Sequence, residues 1–190
     1  MRPPVPVTLE GGGLRLTPLA AEHAADLHLA AQDDDIWRWV SVPRPVTPAQ
    51  MHDYIQEANA QEGRIAFAVV VDGRAQGSTS YLDIDASLGA LEIGWTWYAR
   101  ALWATQVNPT CKFLLLQHAF ESLGAERVSL KTDVMNTRSQ AAIRKLGARY
   151  DGTLRHHRRR TDGSARDTVF FSILADEWPA VRRGLEDRLR

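Results

Sequence analysis

Leu91-Glu92-Ile93-Gly94-Trp95-Thr96-Trp97-Tyr98 reads as a strand, and the 57 residues that begin with it, 91–147, decide the fold. An irregular loop from Arg100 to Val107 follows, and Asn108-Pro109 opens an apolar helix. Residues 127–133 return as a strand, and Asn136-Thr137-Arg138-Ser139 opens a second helix that stops at Gly147. Two strands therefore each lead into a helix N-terminus. Unpartnered N–H groups and the positive end of the helix dipole suit such ends to an anion, so an anionic ligand is the first expectation.

Within the first helix, Asn108 reads as the cap and Pro109, which needs no hydrogen-bond partner, as the first helical residue. Phe113, Leu114, Leu116, Phe120 and Leu123 supply its buried stripe. In the second helix Asn136 caps, Ala142, Ile143 and Leu146 face inward, and Ser139 sits one turn in. A plain strand-to-helix turn with solvated amides, and a serine that only supplements the cap, account for the same residues. Neither helix end decides the matter alone.

Working outward, Leu14, Leu16 and Leu19 mark a short strand, and Ala20 to Ala31 an amphipathic helix broken at Asp33-Asp34-Asp35. Thr47-Pro48 opens another helix that reaches about Ala60. Ile65–Val71 is a buried strand that returns through Asp72-Gly73 as Gln76–Leu82. Beyond the second helix N-terminus, residues 150–160 and 166–174 pair through Asp162-Gly163, and a C-terminal helix occupies 175–190. The order β-α-α-β-β-β-α-β-α-β-β-α predicts one α/β domain over residues 1–190, built on a mixed sheet. Residues 1–12, which run into Gly11-Gly12-Gly13, are expected to be flexible.

Net charge is zero, which argues against nucleic acid or an anionic membrane as partner. The run Arg155 to Arg160 splits over two strand faces without aromatic interleaving, so it reads as a solvated hairpin. Cys111 is the one cysteine, so no intramolecular disulfide forms. No signal-like start and no apolar stretch of about 20 residues occurs, and a soluble cytoplasmic protein is expected. The six histidines lack metal-ligand spacing, and no metal is expected. Lysine occurs only at 112, 131 and 145; the arginine excess reads as genome composition.

Strand, loop, helix, strand, then Asn136-x-x-Ser139 with Ala142-Ile143-x-x-Leu146-Gly147, resembles the core of the GNAT N-acetyltransferases. With Glu92-Ile93-Gly94-Trp95-Thr96 and Gly152-x-Leu154-Arg155 it is similar to the RimJ/RimL-type branch, the ribosomal-protein-alanine N-acetyltransferases, over about residues 14–174. The resemblance implies the GNAT (acyl-CoA N-acyltransferase) fold: a mixed, mostly antiparallel central sheet flanked by helices. It implies acetyl-CoA as co-substrate, its pantetheine between strands 89–98 and 127–133. Contacts to it are then expected from Trp95, Thr96, Trp97, Ala104, Thr105, Gln106, Val107, Asn108, Asn136 and Ser139.

The resemblance further implies direct attack of a primary amine on the thioester, with backbone N–H groups near Trp95–Trp97 on the oxyanion. Ser139 falls where RimL-type enzymes are thought to protonate the leaving thiolate. Glu92 is the candidate base; strand alternation puts it on a face with Gly94, Thr96 and Tyr98, and a carboxylate paired with an arginine is the plainer alternative. In the strand after the Gly147-Ala148 turn, the stretch Leu154–Arg160 carries no carboxylate, unlike that of some RimL-type proteins, and His156 or His157 is a substitute. Trp37 and Trp39 are candidates for the acceptor wall or for the core.

The phosphate loop departs from the family pattern Gln/Arg-x-x-Gly-x-Gly/Ala, with Ala104 and Gln106 where glycines stand. Glycine there permits positive φ and close approach, whereas the Gln106 side chain stands to crowd a phosphate or to hydrogen-bond to it. The expected function is acetyl-CoA-dependent N-acetylation of a primary amine, first a protein N-terminal α-amine. Its pKa near 8 leaves roughly 10% neutral at pH 7, against well under 0.1% for lysine. A small-molecule amine, such as an amino acid or antibiotic, is the alternative, and a GNAT-fold binding or regulatory module the other. The final helix or the 150–174 hairpin offers a face for a possible homodimer.

Overall fold

The computed structural model describes residues 1–40 and 42–190. Its strands are β1 (Leu9–Gly11), β2 (Leu14–Pro18), β3 (Ile65–Val71), β4 (Arg74–Asp85), β5 (Ala90–Tyr98), β6 (Arg127–Asp133), β7 (Arg149–Arg159) and β8 (Ala165–Leu174). The helices are α1 (Ala24–Ala30), α2 (Asp34–Trp37), α3 (Pro48–Ala60), α4 (Val107–Gln117), α5 (Thr137–Lys145) and α6 (Trp178–Leu189). One sheet takes the order β1-β2-β3-β4-β5-β6-β8-β7. All neighbours are antiparallel except β5 and β6, whose parallel pairing requires the α4 crossover. This is the mixed, mostly antiparallel α/β fold expected.

The hairpin turns form as their sequences dictate. Asp72 and Gly73 have φ of 51° and 77°, the left-handed pair that matches the twist of the flanking strands. Each sheet face carries its own core. Against one pack Leu115 and Leu116 of α4, Ile143 of α5 and Val181 of α6, over Leu91, Ile93, Leu130 and Phe171. Against the other pack Leu27 of α1, Ile36 and Trp37 of α2 and Met51 and Ile55 of α3, over Ala66, Ala68 and Trp97.

Four local readings are corrected. Residues 9–11 are not loose but pair with β2, and the Arg2 N–H donates to the Leu123 carbonyl at 2.8 Å. The helix expected over 20–31 is a 3₁₀ turn at Ala21–His23 followed by α1. Asp33 does not simply break the chain: its carboxylate accepts from the Asp35 N–H at 2.9 Å and caps α2. The apolar helix begins at Val107, with Gln106 in the cap position, and ends in a π-helical turn at His118–Leu123 closed by left-handed Gly124. Asn108 therefore does not cap. Pro109 is third in the helix, where its missing N–H is as harmless as at the first position.

Phe171 is fully buried between the edge of Tyr150 and the α5 side, with the Arg144 guanidinium 5.0 Å from its ring centroid. Phe171→Ala should lower unfolding free energy by about 3–5 kcal/mol in urea titrations. A change under about 1 kcal/mol would show that β8 does not anchor this core.

Candidate active site

β5 and β6 are paired only at Ala90↔Arg127, Leu91↔Val128 and Glu92↔Ser129. Beyond Ser129, β6 stays paired with β8 to Asp133, while β5 stays with β4. The two strands thus part, and a cleft of about 310 Å³ opens between them. At its head, Trp95 takes φ 49° and the β4–β5 register shifts between Ser78↔Trp97 and Ser80↔Gly94. Two residues of β5, Trp95 and Thr96, stand opposite the one residue Thr79, which is a β-bulge.

The bulge reverses the faces of the strand. Leu91 and Ile93 lie in the core under α4, and after the bulge so does Tyr98, while Trp97 lies in the opposite core. Glu92 therefore does not share a face with Thr96 and Tyr98, as simple alternation predicts; it shares one with Gly94 and faces the α1–α3 side. A Cβ on Gly94 would sit 2.6 Å from Glu92 Oε1 and 2.9 Å from Leu82 Cδ1, so glycine leaves the space that the carboxylate fills.

Glu92 is 4% exposed and lines the cleft. Lys131 Nζ bridges it at 2.6 Å (Oε2) and Asp83 Oδ2 at 3.0 Å. Burial pushes the Glu92 carboxyl up, only partly offset by Lys131. Asp83 is also desolvated, but its bonds to Lys131 and Glu92 hold it below the usual range, so the more basic carboxylate of the pair is Glu92. The alternative of an arginine partner is not what forms; the partner is a lysine.

On the other side of β5, Thr96 Oγ1 lies 2.8 Å from Thr79 Oγ1 and accepts from Lys112 Nζ at 2.8 Å. Lys112 projects from α4 into the cleft, is 6% exposed, and is pulled down to about 8 by desolvation. Ser139 lines the same cleft from the first turn of α5, its N–H donating to the capping Asn136 Oδ1 at 3.1 Å.

At one of its two missing glycines the loop before α4 keeps a glycine-like backbone, whereas Gln106 is right-handed helical with φ −73°. Ala104 has φ 61°, in the left-handed region. Gln106 Nε2 donates to the Arg188 carbonyl at 2.9 Å, so the side chain is tied to the end of α6. Gln106 gives α4 no side-chain cap, and Thr105 Oγ1 accepts from the Val107 N–H at 3.3 Å. Asn108 lines the cleft and accepts from Tyr98 Oη at 3.1 Å. Trp103 is clasped between Arg100 and Arg138, whose guanidinium carbons lie 4.2 and 3.6 Å from the ring centroid, so the loop touches α5 across the cleft mouth.

The two tryptophans of the α2 region part company. Trp39 lines the cleft, whereas Trp37 is buried against Tyr54 and Trp97 with its indole N–H on the Ala31 carbonyl. Trp97 is likewise a core ring, its Nε1 donating to Tyr54 Oη at 3.2 Å. His157 packs edge-on to Phe170, and its neighbour Arg158 lines the cleft instead. The Arg155–Arg160 run is not uniformly solvated: Arg160 pairs with buried Asp133 at 2.7 and 3.0 Å. Lys112, Lys131, Trp103, Arg138, Arg158 and Arg166 line the cleft without having been singled out in sequence. The one available signal was lysine itself: two of the three lysines of an arginine-rich chain meet here.

The acetyltransferase (GNAT) domain family matches residues 13–149. A protein of T. thermophilus described as an acetyltransferase is 36% identical, with a TM-score of 0.91 over 98% of this chain and 99% of that one. The uncharacterized N-acetyltransferase p20 of Bacillus licheniformis is 25% identical over 176 residues, 90% of this chain and 98% of its own. Mycobacterium smegmatis RimJ, solved in complex with CoA-disulfide, shares the fold at 20% identity, with a TM-score of 0.85 over 99% of this chain and 97% of that one. The chain belongs to the GNAT acetyltransferase family and is an N-acetyltransferase.

Gly94→Ala should displace the Glu92 carboxylate or Leu82 and lower stability by about 1–3 kcal/mol in thermal or urea unfolding. An unperturbed melting curve would mean that the Glu92 side chain does not rest over Gly94.

Proposed function

We propose that this GNAT-family enzyme transfers the acetyl group of acetyl-CoA directly to the α-amine of a peptide or protein N-terminus. The observation that carries the reading is the parting of β5 from β6, which leaves β5 a strand edge open to the cleft. Buried N–H and C=O groups require partners, and the amides of a pantetheine arm supply them much as an added strand does. CoA-disulfide bound to the M. smegmatis RimJ of like fold supports a CoA ligand.

The chain's own residues fit the rest of that ligand. The start of α4, to which Gln106 gives no side-chain cap, and the loop Ala104–Val107, with Asn108, suit the pyrophosphate; left-handed Ala104 and the turned-away Gln106 keep that approach open. Asn136 and Ser139 border the pantetheine end. Backbone N–H groups at the Trp95–Trp97 bulge are the donors for the oxyanion of the tetrahedral intermediate.

Acceptor and base lie on the opposite face. Trp39 walls the acceptor side, and the His157 strand reaches it through Arg158. Glu92 takes the proton that the attacking amine sheds; burial raises its affinity for that proton, which is the direction that makes a carboxylate a useful base near neutrality. Lys131 restrains the rise, so Glu92 is a base of modest strength. A modest base suits an α-amine, of which roughly 10% is neutral at pH 7, better than a lysine side chain.

Two measurements test this. An acceptor panel of peptides with free and blocked N-termini, lysine side chains, amino acids and aminoglycosides should show turnover confined to free α-amines. Turnover of an aminoglycoside with none of a peptide would contradict the acceptor assignment. Glu92→Gln should lower kcat about 100-fold at neutral pH with acetyl-CoA affinity retained, and an unchanged kcat would remove Glu92 from the base role.

A further inference from the structure

Lys112 is a buried cation without an ion pair among the described residues: its bond is to neutral Thr96 Oγ1, and Glu92 acts on it only as a field from across β5. Burying such a charge costs stability, and an apolar side chain of the same volume would seal the cleft floor more cheaply. Nor does composition account for it. Only three of 23 basic residues are lysines, and lysine differs from arginine in that it can release its proton near neutrality.

Its place is specific. Thr96 lies beside the bulge on the α4 face of β5, and α5, which carries Ser139, packs on that same face. Glu92 lies on the other. We propose that Lys112, and not the Ser139 to which the family resemblance gives that step, is the proton donor to the CoA thiolate as the acetyl group leaves, the counterpart across β5 of Glu92. This rests on the acetyl-transfer reading above.

The balance of the step is simple. The neutral amine nitrogen bonds to the acetyl carbonyl carbon, and the resulting ammonium gives one proton to the Glu92 carboxylate. The C–S bond breaks with its electron pair on sulfur, which takes a proton from the Lys112 ammonium. Solvent removes the Glu92 proton and returns one to Lys112. Products are the amide and the free CoA thiol.

The acidity of Lys112 suits the exchange: at about 8 it lies near a free thiol at ~8.5, whereas an ordinary lysine near 10.4 gives up its proton reluctantly. The titratable groups around it are Cys111 on its own helix, Glu92 and Tyr98 on β5, Lys131 on β6 and Arg138 on α5. Burial pushes the Cys111 thiol up to about 12 and the Tyr98 phenol well above its usual range, so both are neutral. Glu92 favours the Lys112 proton, and burial outweighs it. Below about pH 8 the donor is loaded, and above it the donor is lost.

The test compares wild type, Lys112→Met and Lys112→Arg in the full chain, with whichever amine the wild type accepts, so a failed α-amine assignment changes the acceptor and not this outcome. Acetyl-CoA calorimetry and melting curves check that each variant is folded and binds. Lys112→Met should lose about 100-fold in kcat with acetyl-CoA and lose the falling limb near pH 8. With an acetyl thioester of a more acidic aryl thiol, which leaves unaided, the loss should shrink by about tenfold or more. Lys112→Arg keeps the charge but holds its proton too firmly, so it should show the same donor dependence even if Lys112→Met does not fold. Equal losses with both donors in the folded variants, or full activity in Lys112→Arg, would overturn the proposal.

Discussion

The parting of β5 and β6 after Glu92 and Ser129 is the constraint on which the site depends. Both strands begin as a parallel pair, and each then follows a different antiparallel neighbour. A gap inside a sheet strands backbone polar groups where no water-rich surface satisfies them, which is costly unless something else does. The bulge at Trp95 belongs to the same device, because it bends β5 and places two residues against one. The fold thus spends backbone regularity at one place, and the helix starts of α4 and α5 are delivered to the rim of that place.

The bulge also decides the electrostatics. By reversing the faces of β5 it sends Glu92 and Thr96 to opposite sides of a single strand. Glu92 then meets Lys131 and Asp83 on one side, and Lys112 meets Thr96 on the other. Burial shifts both toward neutrality from opposite directions, a carboxyl made more basic and an ammonium made more acidic. Two groups whose surroundings drive them so are suited to exchange protons with a substrate between them.

Much of the architecture was legible because its signals are local. Asp72-Gly73 and Asp162-Gly163 fix hairpins by the φ values that they permit, and the β-branched run Ile65–Val71 has nowhere to go but a buried strand. The cap at Asn136 is equally local, and it forms. Asn108-Pro109 misled because proline is tolerated throughout a first helical turn, so it marks the turn and not its first residue. The bulge leaves no mark in periodicity, and alternation counted through it put Thr96 and Tyr98 on the wrong face. Trp37 and Trp39 are two residues apart and look alike, yet one is core and one is cleft; only packing from α3 and β5 separates them. Apart from the rarity of lysine in this chain, Lys112 was hidden for the same reason: nothing near it in sequence says that a lysine in an apolar helix will end under a gap between strands.

The central claim is that the open edge of β5 is completed by acetyl-CoA. Amide hydrogen exchange, with and without saturating acetyl-CoA, reads that edge directly. The account predicts slowed exchange concentrated in residues 93–98 and in the 104–110 helix start, with β1, β2 and the β7 edge unchanged. Protection absent from both segments at saturation, or spread evenly over the sheet, would contradict it.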